Sequence, residues 1–178
     1  MLFNISEIAM ATAVACSEGG KIPAYEERIK RLLKAGLVEV QSTESDHPRA
    51  ARLLSAEEAC LAALLSATTE MFDFGIHLQR AIVGAVRRST VGLGPKAGTR
   101  KAHDLARAVE GIANEEKWVL TLSWRGREDI VARFVPYTMA QPNEGTERLM
   151  EASGRPLFGR LILPLNGIFE PFARRLRA

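Results

Sequence analysis

Hydrophobic positions recur at helical spacing from the start of the chain. Ile5, Ile8, Ala9 and Ala13 share one face of a helix whose N-cap is Asn4 or Ser6, with Glu7 in the first turn. "CSEGGK" ends it, because two consecutive glycines favour a turn. A second helix, about 22 to 35, places Ile22, Tyr25, Ile29, Leu32 and Leu33 on one side, and Ala24, Glu27, Arg31 and Lys34 on the other. Lys21, Arg28 and Lys30 flank that second face, Pro23 suits the first turn and Gly36 suits the C′ stop. "LVEVQ" alternates like a half-buried strand, "STESDHP" is a polar loop, and "RAARLL" is its returning partner. Ser55 stands three residues before Glu58, the spacing of a capping box, so a third helix runs from about 56 to 70. After the Gly75 break, "IHLQRAIVGAVRR" continues as a further short helix.

The pattern changes at "STVGLGPKAGT", residues 89–99, where three glycines and a proline mark a linker. Beyond it, Ala102, Leu105, Ala106, Val109, Ile112 and Ala113 form a helical stripe. "KWVLTLSW" and "DIVARFVP" then read as a β-hairpin turning at "RGRE", with Trp118, Leu120, Leu122 and Trp124 on one face. "LFGRLILPL" supplies a third strand, and "GIFEPFARRLRA" a last helix interrupted by Pro171. The expected fold class is mainly α with small β (α+β). A domain of residues 1–88 has the element order of a winged helix-turn-helix, 89–99 link it onward, and 100–178 form a helix-plus-hairpin module.

Composition changes this picture little. The 178 residues are 47% hydrophobic and 25% charged, with a net charge of +3. That suits folded domains and does not by itself announce a nucleic-acid binder. The charge is also even along the chain, with 12 Lys/Arg against 11 Asp/Glu up to residue 100 and 12 against 10 after it. Cys16 and Cys60 have no CxxC partner and read as thiols of a reducing cytoplasm. No apolar run approaches the roughly 20 residues that span a bilayer. The N-terminus lacks a basic n-region and is broken by Glu7, so it reads as a helix rather than a signal peptide, and the expected location is cytoplasmic with no membrane partner.

Candidate chemistry lies in the first half. An apolar-backed second helix with Lys21, Arg28, Arg31 and Lys34 outside it could enter a major groove, and Arg49 and Arg52 at the end of the polar loop could neutralise phosphates. Against this, Glu27 with Arg31 and Glu26 with Lys30 are i,i+4 pairs that would stabilise any exposed helix. Catalytic chemistry is not expected. His47, His77 and His103 lack metal-ligand spacing, "GLGPKAGT" lacks a Gly-Lys-Ser/Thr ending, and Glu115, Glu116, Glu128 and Asp129 have no partner nucleophile. No cofactor and no metal are expected.

"ISEIAMATAV", "AYEERI", "GLVEV", "ARLLSAEEACLAALL" and "DFGIHLQRAI" resemble, in order, segments of the MerR family of transcriptional regulators. The resemblance covers roughly residues 3 to 85. It implies a first helix, a recognition helix, a wing, a second helix pair and the turn between them. "ACSEGGK" replaces the family's compact turn, "RIKRLLKAG" lengthens its second helix, and Ala24 precedes Tyr25 where a Tyr-Arg pair is usual. Relatives of that type often bind metal through C-terminal cysteines, but no cysteine follows residue 60 here. The expected function is sequence-specific binding of double-stranded DNA in transcriptional regulation, as a homodimer. Leu105, Val109, Ile112 and Trp118 are the expected dimer contacts, and residues 100–178 serve either dimerisation or the sensing of an effector or partner, whether a small molecule or a protein. The alternative is a protein-interaction adaptor that uses the same scaffold without DNA.

Overall fold

The computed structural model describes residues 2–43, 52–88, 104–124, 130–137 and 159–176. It is mainly helical with small antiparallel sheets, the expected α+β class. The chain divides into two compact units, Met1–Gly75 with Gly167–Ala178, and Ile76–Asn166.

The first unit begins with a short strand, β1 (Leu2–Asn4), that the sequence pattern did not predict. It runs straight into α1 (Ile5–Ala15) through a complete capping box. The Glu7 amide donates to Asn4 Oδ1 at 2.9 Å, and the Asn4 amide donates to Glu7 Oε2 at 2.9 Å. Two otherwise orphaned N–H groups are satisfied by these reciprocal bonds. A single 3-10 turn (Gly19–Lys21) leads into α2 (Ile22–Lys34), which buries Tyr25, Ile29 and Leu32. Gly36 ends α2 with φ +67°, and the Leu37 amide reaches back to the Leu32 carbonyl at 3.0 Å. That left-handed turn is the reason for a glycine there.

Strand β2 is Ser42–Thr43 rather than the expected "LVEVQ"; Leu37 and Val38 are buried ahead of it in a bend. Strand β3 (Arg52–Ser55) is the middle of a sheet ordered β1-β3-β2, with Phe3 opposite Leu54 and Ser42 opposite Leu53. Ser55 then caps α3 (Ala56–Phe72), its hydroxyl accepting from the Glu58 amide at 3.2 Å. The Glu58 carboxylate instead accepts from the Glu39 amide at 2.8 Å, tying the approach to β2 onto α3. An unbroken run from Ala59 to Thr68 is buried, so α3 is the core helix of its unit, packed by α1, α2, β1 and β3.

The last helix, α6 (Asn166–Ala173), lies from Gly167 onward in this first unit, not in a separate C-terminal module. The reason is apolar burial. Phe172 meets Phe3 edge-to-face at a centroid distance of 5.4 Å, and both rings are almost fully buried. Arg175 covers the Phe3 ring and pairs with Glu7 at 2.9 Å.

The second unit contains α4 (Ile76–Arg88), α5 (Asp104–Ala113) and strands β4 (Trp118–Trp124), β5 (Ile130–Pro136) and β6 (Gly159–Pro164). Helix α4 falls here, whereas the sequence pattern put it with residues 1–88. Its buried face of Gln79, Ile82, Val83, Ala85 and Val86 belongs to a helix packed on β5. The linker expected at 89–99 is outside the described residues. The sheet is antiparallel in the order β5-β4-β6, and Leu120 on the middle strand faces Phe134 on one side and Leu163 on the other. Helix α5 packs on β4 and β5.

Gly111 on α5 makes a close approach that any side chain would block. A Cβ there would collide with Trp118 Nε1 and lie 2.6 Å from Glu116 Oε2, the pair joined by a 2.9 Å hydrogen bond from the indole N–H. Trp118 is buried and cannot swing aside. Gly111→Ala should therefore destabilise the protein by about 1–2 kcal/mol, because overpacking outweighs the gain in helix propensity. Urea unfolding followed by tryptophan fluorescence measures it. A stabilised variant would show that helix propensity governs this position and the indole contact does not.

Candidate nucleic-acid interface

Helices α1 and α2 pack on each other across the turn between them, and the β2–β3 pair follows. The stripe Tyr25, Ile29, Leu32 fixes the rotation of α2, because these positions fall on one side of a 3.6-residue helix and are all buried. Pro23, Ala24, Glu27, Lys30, Arg31 and Lys34 are consequently exposed.

The expected contact residues divide sharply. Lys21 Nζ lies 2.6 Å from Glu18 Oε1 and 2.8 Å from Glu70 Oε1. The Arg28 guanidinium pairs with the other oxygen of the same Glu70 carboxylate and stacks on the Tyr25 ring at 5.0 Å. Its Nη1 is buried without a partner. The Tyr25 hydroxyl donates to Glu18 Oε2 at 2.8 Å, closing a chain of contacts from the turn through α2 to the end of α3. Lys21 and Arg28 are thus neutralised within the chain. Arg31 is exposed and meets Glu27 at 3.3 Å, and Lys30 is 3.8 Å from Glu26. Pairs this exposed are weak and easily exchanged for another anion. Lys34 and Arg52 are exposed and form no ion pair with a described residue. Arg49 is outside the described residues.

Three cations, Lys30, Arg31 and Lys34, therefore share the exposed edge of the C-terminal half of α2. The electrostatic setting around them is not basic. The first unit carries ten Lys/Arg against twelve Asp/Glu, and the second fourteen against nine.

The ion network shifts its members as pairing dictates. The Lys21 hydrogen bond, followed by that of Tyr25, holds the Glu18 carboxyl below its usual range. The same lysine, with Arg28, does so for Glu70. Lys21 is raised in return, chiefly by Glu18 and then Glu70. Burial, then Cys16 and Glu18, push the Tyr25 hydroxyl up, so it stays a donor. Cys60 is fully buried, which pushes its thiol up and leaves it unreactive.

The expected dimer contacts need correction. Leu105, Val109, Ile112 and Trp118 are 6%, 2%, 4% and 4% exposed, already consumed where α5 packs on its own sheet. Side chains buried in one chain offer no surface to a second. Among the described residues no group of three or more His, Cys, Asp or Glu could hold a metal ion, and no helix is long and apolar enough to cross a membrane. Glu70 is the residue that the sequence reading missed. It is 42 positions from Arg28, beyond any local spacing rule.

No protein-family model matches the chain, and no curated protein is detectably similar to it. The MerR resemblance therefore rests on the quoted segments alone.

The network has a pH signature. Glu18 and Glu70 are depressed below 4.5, so their contribution is complete above that value and is lost as pH falls through the folded-state values. Lys21 is raised above 10.5, so its contribution is complete below that value and fades as pH rises through the folded one. The contribution of this network should be flat between these limits. Glu70→Gln should lower the unfolding midpoint at neutral pH and flatten the acid limb, as measured by thermal unfolding across pH. An acid limb as steep in the variant as in the parent would show that Glu70 is not a member of the network.

Proposed function

We propose that the first unit is a winged helix-turn-helix, of the MerR-like kind that the segments resemble, and that the protein regulates transcription by binding double-stranded DNA. The observation that carries this reading is the exposed cationic edge of α2, the second of two helices that pack across a turn and are followed by an antiparallel strand pair. The outer half of α2 would meet the groove, with the β2–β3 hairpin as the wing and Arg52 at its base. The contact set is narrower than composition suggested. Lys30, Arg31, Lys34 and Arg52 carry it, while Lys21 and Arg28 position the helix. Groove readers commonly pair to cover two half-sites. A homodimer would do so through surfaces other than the α5 stripe, and a cytoplasmic location accords with the role.

One observation favours the second reading, a protein-interaction adaptor. The first unit has more acidic than basic residues, and the exposed N-terminal half of α2 presents Pro23, Ala24 and Glu27, which are poor donors to base edges.

Salt dependence separates the two. Binding of the full chain to duplex DNA should weaken steeply as salt rises, with a log–log slope of about −0.9 for each phosphate neutralised. Lys30→Ala with Arg31→Ala and Lys34→Ala should reduce that slope by about 2–3 while leaving the unfolding midpoint nearly unchanged. Arg28→Ala should do the reverse, costing stability with less effect on the slope. Absence of duplex binding even at low salt would remove the DNA reading and leave the adaptor.

A further inference from the structure

Helix α4 has a second stripe opposite its buried face. His77, Arg80, Ala81, Gly84 and Arg88 recur at spacings of three and four, so they lie along one side of the helix. Together with Leu78 and Trp124 from the end of β4, they line a cleft of about 830 Å³ within the second unit. That volume lies in the range of sites for small organic ligands.

The lining has a definite chemistry. Arg80 and Arg88 are exposed, and neither forms an ion pair with a described residue. Among the described residues, no carboxylate lines the cleft. Ala81 and Gly84 form a low floor between the two cations. Arg88 folds back over that floor, its Nη1 only 3.1 Å from where a Gly84 Cβ would lie. Its charge is thereby held toward the middle of the stripe rather than at the helix end. Trp124 is half-buried beside Gly159, its register partner on β6, whose missing side chain leaves room beside the indole. Unpaired cations in a concave surface focus a positive potential, and this unit holds the chain's basic excess. A flat indole next to them suits a planar ring.

We propose that this cleft binds a small planar organic anion, with its ring against Trp124 and its carboxylate or phosphate between Arg80 and Arg88. Guanidinium groups suit both anions, since each can meet two oxygens at once. His77, exposed in the lining, adds a donor. The proposal is independent of DNA binding. If the first unit does bind DNA, this site is where an effector would act.

The test is calorimetric titration of the full chain with salicylate and with adenosine monophosphate, with adenosine and inorganic phosphate as half-ligands. Saturable binding of at least one aromatic anion is expected, with each half-ligand at least about tenfold weaker than the complete one. Preference for salicylate would identify a carboxylate ligand, and preference for the nucleotide a phosphate-bearing one. Arg80→Gln with Arg88→Gln should weaken binding by about tenfold or more without moving the unfolding midpoint, as both side chains are exposed. Gly84→Leu should block the site by filling its floor. Trp124→Phe should abolish the fluorescence change that accompanies binding, leaving the signal of Trp118. The proposal is overturned if neither aromatic anion binds saturably, or if the double arginine variant binds as tightly as the parent.

Discussion

The carboxylate of Glu70, near the end of α3, accepts from Lys21 with one oxygen and from Arg28 with the other, while Glu18 holds Lys21 from the opposite side and takes the Tyr25 hydroxyl. Much of the first unit depends on this arrangement. The apolar stripe of α2 sets which side of the helix faces α3, but such contacts are non-directional and would tolerate sliding along the axis. A carboxylate shared by two cations from different turns permits only one axial position. It also fixes the Glu18–Lys21 turn, which has no apolar anchor of its own: its glycines are exposed.

That clamp has an electrostatic consequence. It withdraws two of the cations that composition would credit to a DNA-facing helix, and it moves the available positive charge to the C-terminal half of α2. The second unit is built on another basis. Its order comes from an antiparallel sheet whose middle strand is buried along almost its whole length, with helices over the face that bears Trp118, Leu120 and Leu122. Among its described residues, the two arginines of the α4 cleft are left exposed at the surface without an ion-pair partner. Each unit thus uses its charges differently, one to hold helices in place and the other to offer an anion a site.

The elements with strong local periodicity were legible in the sequence. Helices α1, α2 and α3, the Gly36 stop, the β4–β5 hairpin and the third strand all follow from spacing, caps and alternation. What escaped depends on partners remote in sequence. β1 exists because Phe3 pairs opposite Leu54, and α6 joins the first unit because Phe172 meets Phe3 from the other end of the chain. Neither contact leaves a periodic trace. The stripe on α5 was read correctly as apolar and incorrectly as a subunit contact, since a sequence shows that a face must be covered but not what covers it. The charges were hardest of all. On a helical wheel Arg31 lies on the outward face and Arg28 flanks it, and the position of Glu70 is what makes Arg28 a structural arginine.

The placement of α2 depends most directly on the state of that carboxylate. Carbon-13 NMR of the labelled protein would follow the Glu70 carboxyl through acid titration, in the parent chain and in Lys21→Met with Arg28→Met. The Glu70 midpoint should lie below the ordinary 4.5 in the parent and move back up in the double variant. An ordinary midpoint in the parent, unchanged when both cations are removed, would show that Glu70 does not clamp α2 to α3, and Lys21 and Arg28 would return to the surface as available cations.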